Sequence, residues 1–450
     1  MTSYCVVGGG IAGLTAAYRL RRALGDDATI TLFEPADLGG ILQTRELAGH
    51  PVDVGAEAFV ARRPEVPALL AELGLADRRV ETTGARPLIY SEGRLHPLPT
   101  GTVNGIPAAP EPLAGLVDDA TLATMRDEPA RPMRWARGAD PAVGEVVADR
   151  FGDQVVARSV DPMLSGVYAG SARTIGIRAA APGVAAALDA GAANLTAAVA
   201  QALPPATGAP VFNAVAGGYR VLVAELVRRA AADLQRAAVT DLVSDGGRWR
   251  LRAGDRWWSA DGVVLAVPAP VLPVLLADAA PAVAAAAARI RAASSVVLAM
   301  ALPPDTALPQ QSGVLVATGE PLHAKAITLT SRKWGRGGDV ELLRMSFGRL
   351  GDQVARAVSD ETLRGWALED LRTVFGLSVE PIAVATARWL DAMPQYGPGH
   401  AGLVAELRGG LPPGLVLAGN FLDGIGVPAC VASGTAAAAA LRTVSGTMEP

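Results

Sequence analysis

The sequence predicts an α/β protein in which a parallel-sheet domain is assembled from separated stretches of chain, with an α+β domain and a helical lobe inserted into it. Three observations carry this. The first 34 residues change period twice around three spaced glycines, a glycine-rich turn and alanine-rich helix stand near the far end, and long β-prone runs lie between them.

At roughly 150 residues per domain, 450 residues imply two or three folded units. Half of the chain is apolar and 19% charged, and its 33 prolines are scattered, which excludes a disordered chain. The net charge of −4 offers no basic excess for phosphates, so no nucleic-acid partner is expected. Cys5 and Cys430 stand alone, and His50, His96, His323 and His400 lack ligand spacing. No disulfide and no metal site are predicted. The opening MTSYCVV lacks a charged n-region and a long apolar run, which predicts a cytoplasmic protein. Pro273, Asp278 and Pro281 interrupt the longest apolar stretch, so no membrane span is predicted, while peripheral membrane contact stays open.

In order along the chain, Tyr4–Val7 is β-prone, Ala12–Leu24 has helical spacing and Ala28–Phe33 is β-prone again. Gly8, Gly10 and Gly13 form G-x-G-x-x-G at the first strand-to-helix junction, and Glu34 follows 21 residues after Gly13. This is a Rossmann-like fingerprint. Gly8 allows the tight turn, Gly10 the approach of backbone N–H groups to a pyrophosphate, and Gly13 close helix packing, while Glu34 accepts from a ribose hydroxyl. FAD and NAD both use such a unit. The strand Leu415–Ala418, its glycine-rich turn and the helix from about Cys430 provide a second helix start near an anion.

Residues 100–200 are rich in Ala, Leu and charge with proline breaks, which predicts the helical lobe. From Leu265 to Phe375, runs such as SSVVLAMAL, AITLTS and ELLRMSFG alternate with the helical TLRGWALEDLRTVF, as in an antiparallel sheet covered by helices. Residues Val239–Arg252 and Val263–Val267 read as strands that return to the first domain. The predicted dinucleotide domain comprises 1–80, 206–270 and 381–450, the α+β domain 81–105 and 271–380, and the lobe 106–205.

The ordered set VVGGGIAGL, LGG, VDVGAEAFVARRPE, GRLHPLPTGTVNGIP, SGVYAG, AGGYRVLV, SGVLVATG, KAITLTSRKW, MPQYGPGH and AGNFLDGIGVPAC covers nearly the whole chain. It resembles the FAD-dependent protoporphyrinogen and coproporphyrinogen oxidases of the flavin amine oxidase superfamily, with HPLPTGTVNGIP closer to the coproporphyrinogen branch of Gram-positive bacteria. The resemblance implies non-covalent FAD and an oxidase that takes six electrons from a porphyrinogen and reduces O2 to H2O2 in haem synthesis. Coproporphyrinogen III is the favoured substrate and protoporphyrinogen IX the second. Another amine or polyene oxidase, or a non-catalytic flavoprotein of the haem pathway, is the alternative.

By resemblance, Gly39 and Gly40 pass near the pyrophosphate, Gly55, Ala56 and Glu57 approach the flavin, and Val239 meets the adenine. Trp389, Gly419, Gly426 and Val427 close over the flavin's other end. Gly313, Leu315 and Met345 would line the macrocycle face, with Tyr168 near the channel. Arg86, Lys325, Arg332 and Lys333 are the basic candidates for the propionates, and Arg86 lies one residue from the family's substrate arginine. No acid or base side chain is expected to be catalytic, because the flavin accepts the hydride. The chain departs from the family beside LGG, where the usual basic residues are missing and Arg45 is the nearest replacement. The family's acid-cysteine pair is here Ala429 and Cys430, and Cys430 is expected to be a packed apolar residue. Contact with a ferrochelatase, and the choice between monomer and homodimer, stay open.

Overall fold

The computed structural model describes residues 2–205, 208 and 210–446, the side chains of 443–446 excepted. Five parallel strands form the first sheet, in the order Asp233–Gln235, Ala28–Phe33, Thr2–Val7, Gly262–Leu265 and Leu415–Leu417. Tyr4–Val7 and Gly262–Leu265 of the central strands are apolar and buried because both faces are covered, as parallel sheets require. Helix Ile11–Leu24 packs its buried stripe of Leu14, Tyr18 and Leu20 on one face. The terminal helix Val427–Gly446 packs beside it, where a Cβ on Gly434 would meet Ala12 O at 2.2 Å. Both ends of the sequence therefore build one domain.

The second sheet has seven strands, ordered Ala383–Pro394, Ala292–Leu302, Glu341–Phe347, Ala326–Thr328, Gly313–Val316, Leu88–Ser91 and Arg94–Pro97. One face packs under helix Asp360–Phe375, which starts at a capping Ser359 hydroxyl and stops at Gly376 with φ 70°. The opposite face looks toward the first domain and the lobe. In the lobe, short helices between Asp119 and Ala202 enclose their own core around Val147, Phe151, Leu164 and Ile177. Buried Glu128 ties this lobe together through Arg150 at 2.7 Å and the Leu195 and Thr196 N–H groups.

Two predicted boundaries move. Strand Ala383–Pro394 hydrogen-bonds along Ala292–Leu302, so the α+β domain runs past 380 to Pro394. Helices Leu272–Leu275 and Pro281–Ala287 bury Leu272, Val283 and Ala287 in the same cluster as Cys5, Val7 and Val263. They belong to the dinucleotide domain, which therefore continues past 270. Among the described residues, no helix is long and apolar enough to cross a membrane.

Candidate active site

The glycine fingerprint is built by steric necessity. Gly8 has φ 108°, and a Cβ there would lie 2.3 Å from Ala266 O, while one on Gly13 would lie 1.9 Å from Gly8 O. Gly10 differs, for its φ of −71° is ordinary and its nearest neighbour to a Cβ is Gly40 Cα at 4.0 Å. The 38–40 loop is held over this helix start by the Gly39 N–H, which donates to Gly9 O at 2.8 Å. Neither a capping side chain nor an acid occupies the first turn. The helix thus presents unsatisfied N–H groups and its positive end to a gap walled by glycine backbone, which fits a pyrophosphate. Glu34 ends its strand and accepts from Gly9 N at 2.8 Å and Ala36 N at 2.9 Å.

Beside LGG, the amide of Gln43 does the tethering, donating to Leu38 O at 3.0 Å and Gly40 O at 3.1 Å. Arg45 is exposed on the hairpin strand Thr44–Leu47. Val239 is buried at the start of strand Val239–Asp245, in one cluster with Phe33 and beside a register shift.

At the far end of the cradle, Trp389 donates from Nε1 to Val54 O at 2.9 Å. A Cβ on Gly55 would meet Ile41 O at 1.7 Å and the Trp389 ring at 3.1 Å. Ala56 N donates to Ile41 O at 3.3 Å. Gly419, with φ 141°, donates its N–H to the Ser433 hydroxyl, and Gly426 O accepts from Cys430 N as the terminal helix begins at Val427. Cys430 is buried with its thiol pushed up to about 12 by burial, which makes it the packed residue expected.

Glu57 leaves this loop to meet the seven-stranded sheet. It pairs with Lys333 at 2.7 Å and Arg344 at 3.6 Å. Burial alone would raise its carboxyl, but the two cations outweigh it and hold the group at about 2. Arg344 also donates to Gly55 O at 2.6 Å. It was not among the expected site residues, and its signal was a basic residue in the middle of the β-prone run ELLRMSF. Close by, Asp53 accepts from the Thr44 hydroxyl at 2.6 Å and Tyr219 N at 3.0 Å, and burial pushes its carboxyl up to about 6.

A cleft lies between the sheet and lobe helix Asp161–Tyr168. Residues paired across adjacent strands share a face, so Gly313, Thr328 and Arg344 form one row and Leu315, Ala326 and Ser346 the next. Leu315, Ala326, Thr328 and Ser346 are all partly exposed there. Opposite stand Gly166 and Val167, exposed on the helix, with the Cβ position of Gly166 4.0 Å from Leu315 Cδ2. Two hydrogen bonds strap the helix over the sheet. Thr318 donates its hydroxyl to Asp161 at 2.9 Å, and Leu350 N donates to Ala169 O at 2.8 Å.

Two expected cleft residues point elsewhere. Met345 is fully buried in the core under helix Asp360–Phe375, because strand alternation gives Arg344 and Ser346 the cleft face. Tyr168 turns its ring into the lobe, tilted on Tyr396 with centroids 5.7 Å apart, and its neighbours Gly166 and Val167 take the cleft. Arg86 is exposed outside the cleft, in a surface groove of about 480 Å³ with Gln310 and Gln311, and donates to Leu98 O at 3.1 Å. A pyrophosphate cradle, a glycine-walled loop facing a tryptophan and a cleft of mixed apolar and hydroxyl lining beyond it together define a dinucleotide-dependent redox site.

Residues 11–442 match the model of the flavin containing amine oxidoreductases, and the chain belongs to that family. A flavin held by a pyrophosphate cradle is FAD. The chain is 65% identical over 432 residues, 95% of each chain, to the coproporphyrinogen III oxidase of Mycobacterium tuberculosis. It is 27% identical to that of Bacillus subtilis over 96% of each. A crystal structure from Exiguobacterium described as a protoporphyrinogen oxidase superposes with a TM-score of 0.87 at 28% identity, covering 99% of this chain and 98% of that one.

Proposed function

We propose that this chain oxidises coproporphyrinogen III to coproporphyrin III, taking six electrons and six protons from it in three rounds, each of which reduces one O2 to H2O2. The observation that carries this reading is the 65% identity, over 95% of both chains, to a coproporphyrinogen III oxidase. The cleft supports it, since partly exposed Leu315 and Ala326 on the sheet, beside exposed Gly166 and Val167 on the helix, offer apolar surface to a large macrocycle.

When bound, FAD supplies the two-electron acceptor for a bridge-carbon C–H of the substrate. The chain's own residues hold the geometry. Gly8, Gly10, Gly13, Glu34, Gly39 and Gly40 seat the phosphates and ribose. Arg344 and Lys333 clamp Glu57 and the Gly55 carbonyl, fixing the loop that borders the flavin. Trp389 packs on that same loop, Gly419, Gly426 and Val427 border the other end, and Val239 the adenine. Leu315 and Val167 keep water from the bridge carbon.

Protoporphyrinogen IX is the second substrate, favoured by the description of the Exiguobacterium structure. The same reading places the enzyme in cytoplasmic haem synthesis, with its product passing to a ferrochelatase. Porphyrin fluorescence from the two porphyrinogens in air, with FAD supplied, tests the assignment.

A further inference from the structure

The four basic candidates for the substrate's carboxylates separate by what they already hold. Arg332 is paired with Glu341 at 2.7 Å and Lys333 with Glu57 at 2.7 Å, so both are committed inside the protein. Arg86 lies exposed outside the cleft. Lys325 is different. It immediately precedes cleft residue Ala326, is only 5% exposed, and uses one of its three N–H donors, toward Gly348 O at 2.7 Å.

No carboxylate lies within ion-pair distance of it among the described residues. Its charged neighbours are Asp352 and a second cation, Arg349, partly buried, whose guanidinium has no hydrogen-bond or ion-pair partner among the described residues. The acids nearby are Asp161 and Asp352. Asp161 accepts from Ala172 N and from the Ser171 and Thr318 hydroxyls, and makes no ion pair with either cation. Asp352 accepts from Arg349 N and Val354 N, one on each oxygen. Both cations sit where the 348–352 turn meets the strap from Leu350 to Ala169, at one end of the cleft. Two like charges withdrawn from water with spare donors are costly, and a bound anion relieves that cost.

We propose that Lys325 and Arg349 form the seat of one substrate carboxylate, a propionate of the porphyrinogen, at the strapped end of the cleft. This rests on the porphyrinogen reading above. Lysine gives a point charge and arginine a planar fork, and a carboxylate takes both without displacing Asp161 or Asp352. The charge-charge contact holds one edge of the macrocycle while the bridge carbons face the flavin.

The test uses the full-length FAD-loaded protein and two ligands of one shape, coproporphyrin III and its tetramethyl ester, titrated by fluorescence. Lys325→Met and Arg349→Gln should each weaken the free acid about tenfold or more and leave the ester unchanged. KM for coproporphyrinogen III should rise with kcat nearly kept. Lys325→Met should melt no lower than wild type, since a buried charge without a carboxylate partner is removed. Arg349→Gln, at a more exposed position, gives the answer independently of that core substitution. Equal loss for acid and ester, or no loss in either variant while wild type turns over, overturns the seat alone. A wild type that neither binds nor oxidises the porphyrinogen overturns the seat and the proposed function together.

Discussion

Arg344 reaches from the middle of the seven-stranded sheet to the carbonyl of Gly55, 2.6 Å away in the other domain. With Glu57 and Lys333 it forms the polar joint between the domain that carries the cofactor and the sheet that floors the cleft.

Glu57→Gln leaves both cations facing a neutral amide. Chemical denaturation should show a loss of about 3–5 kcal/mol, the usual cost of removing one partner of a buried ion pair. The sign of the pH effect follows from a folded value of about 2 against an ordinary 4.5. The pair's contribution is present above about pH 4.5 and is lost as pH falls toward 2. The variant should lack that acid-limb slope.

Gly10→Val should fold but purify colourless. A Cβ at Gly10 has room, with Gly40 Cα 4.0 Å away, and only the branches enter the gap meant for the pyrophosphate. Gly13→Ala, whose Cβ would lie 1.9 Å from Gly8 O, should instead lower the melting temperature. Absorbance near 450 nm and circular dichroism separate the two outcomes. A Gly10→Val protein with stoichiometric FAD contradicts the placement of the cofactor.

Asp53 has the opposite sign from Glu57. Burial lifts its carboxyl from 3.8 to about 6, so between those values the folded state holds the extra proton and this group's contribution to stability falls as pH rises. Asp53→Asn keeps an acceptor for Tyr219 N and removes the charge. Its melting temperature at pH 7.5 should equal or exceed that of wild type, and the difference should shrink below pH 4.

Gly166→Leu should fill the cleft from above, since its Cβ would stand 4.0 Å from Leu315 Cδ2. Activity on coproporphyrinogen III should fall at least about tenfold with FAD content unchanged. The melting temperature should hold or rise, because leucine is the better helix former by somewhat under about 1 kcal/mol. Unaltered KM and kcat would move the cleft elsewhere.

The cofactor cradle was legible because its signals are local: three glycines at a strand-to-helix junction, then an acid at the next strand's end. The strands SSVVLAMAL and ELLRMSFG were legible too, but which face met the cleft was not. Both faces of that sheet are buried, so hydrophobic alternation carries no parity, and Met345 was placed on the wrong side of Arg344. Pro281–Ala287 has a buried stripe that either domain could cover, and only packing against Val7 and Val263 decides it. The Lys325 and Arg349 corner was hidden for a third reason. The two residues are 24 positions apart, and only folding brings them together without a carboxylate at ion-pair distance from either.

The most direct measurement is aerobic turnover by the FAD-loaded wild type on coproporphyrinogen III and protoporphyrinogen IX, reading porphyrin fluorescence and H2O2 together. The assignment predicts coproporphyrin III formation with three H2O2 per porphyrin and a higher kcat/KM than for protoporphyrinogen IX. Silence on both substrates, with FAD bound, would contradict it.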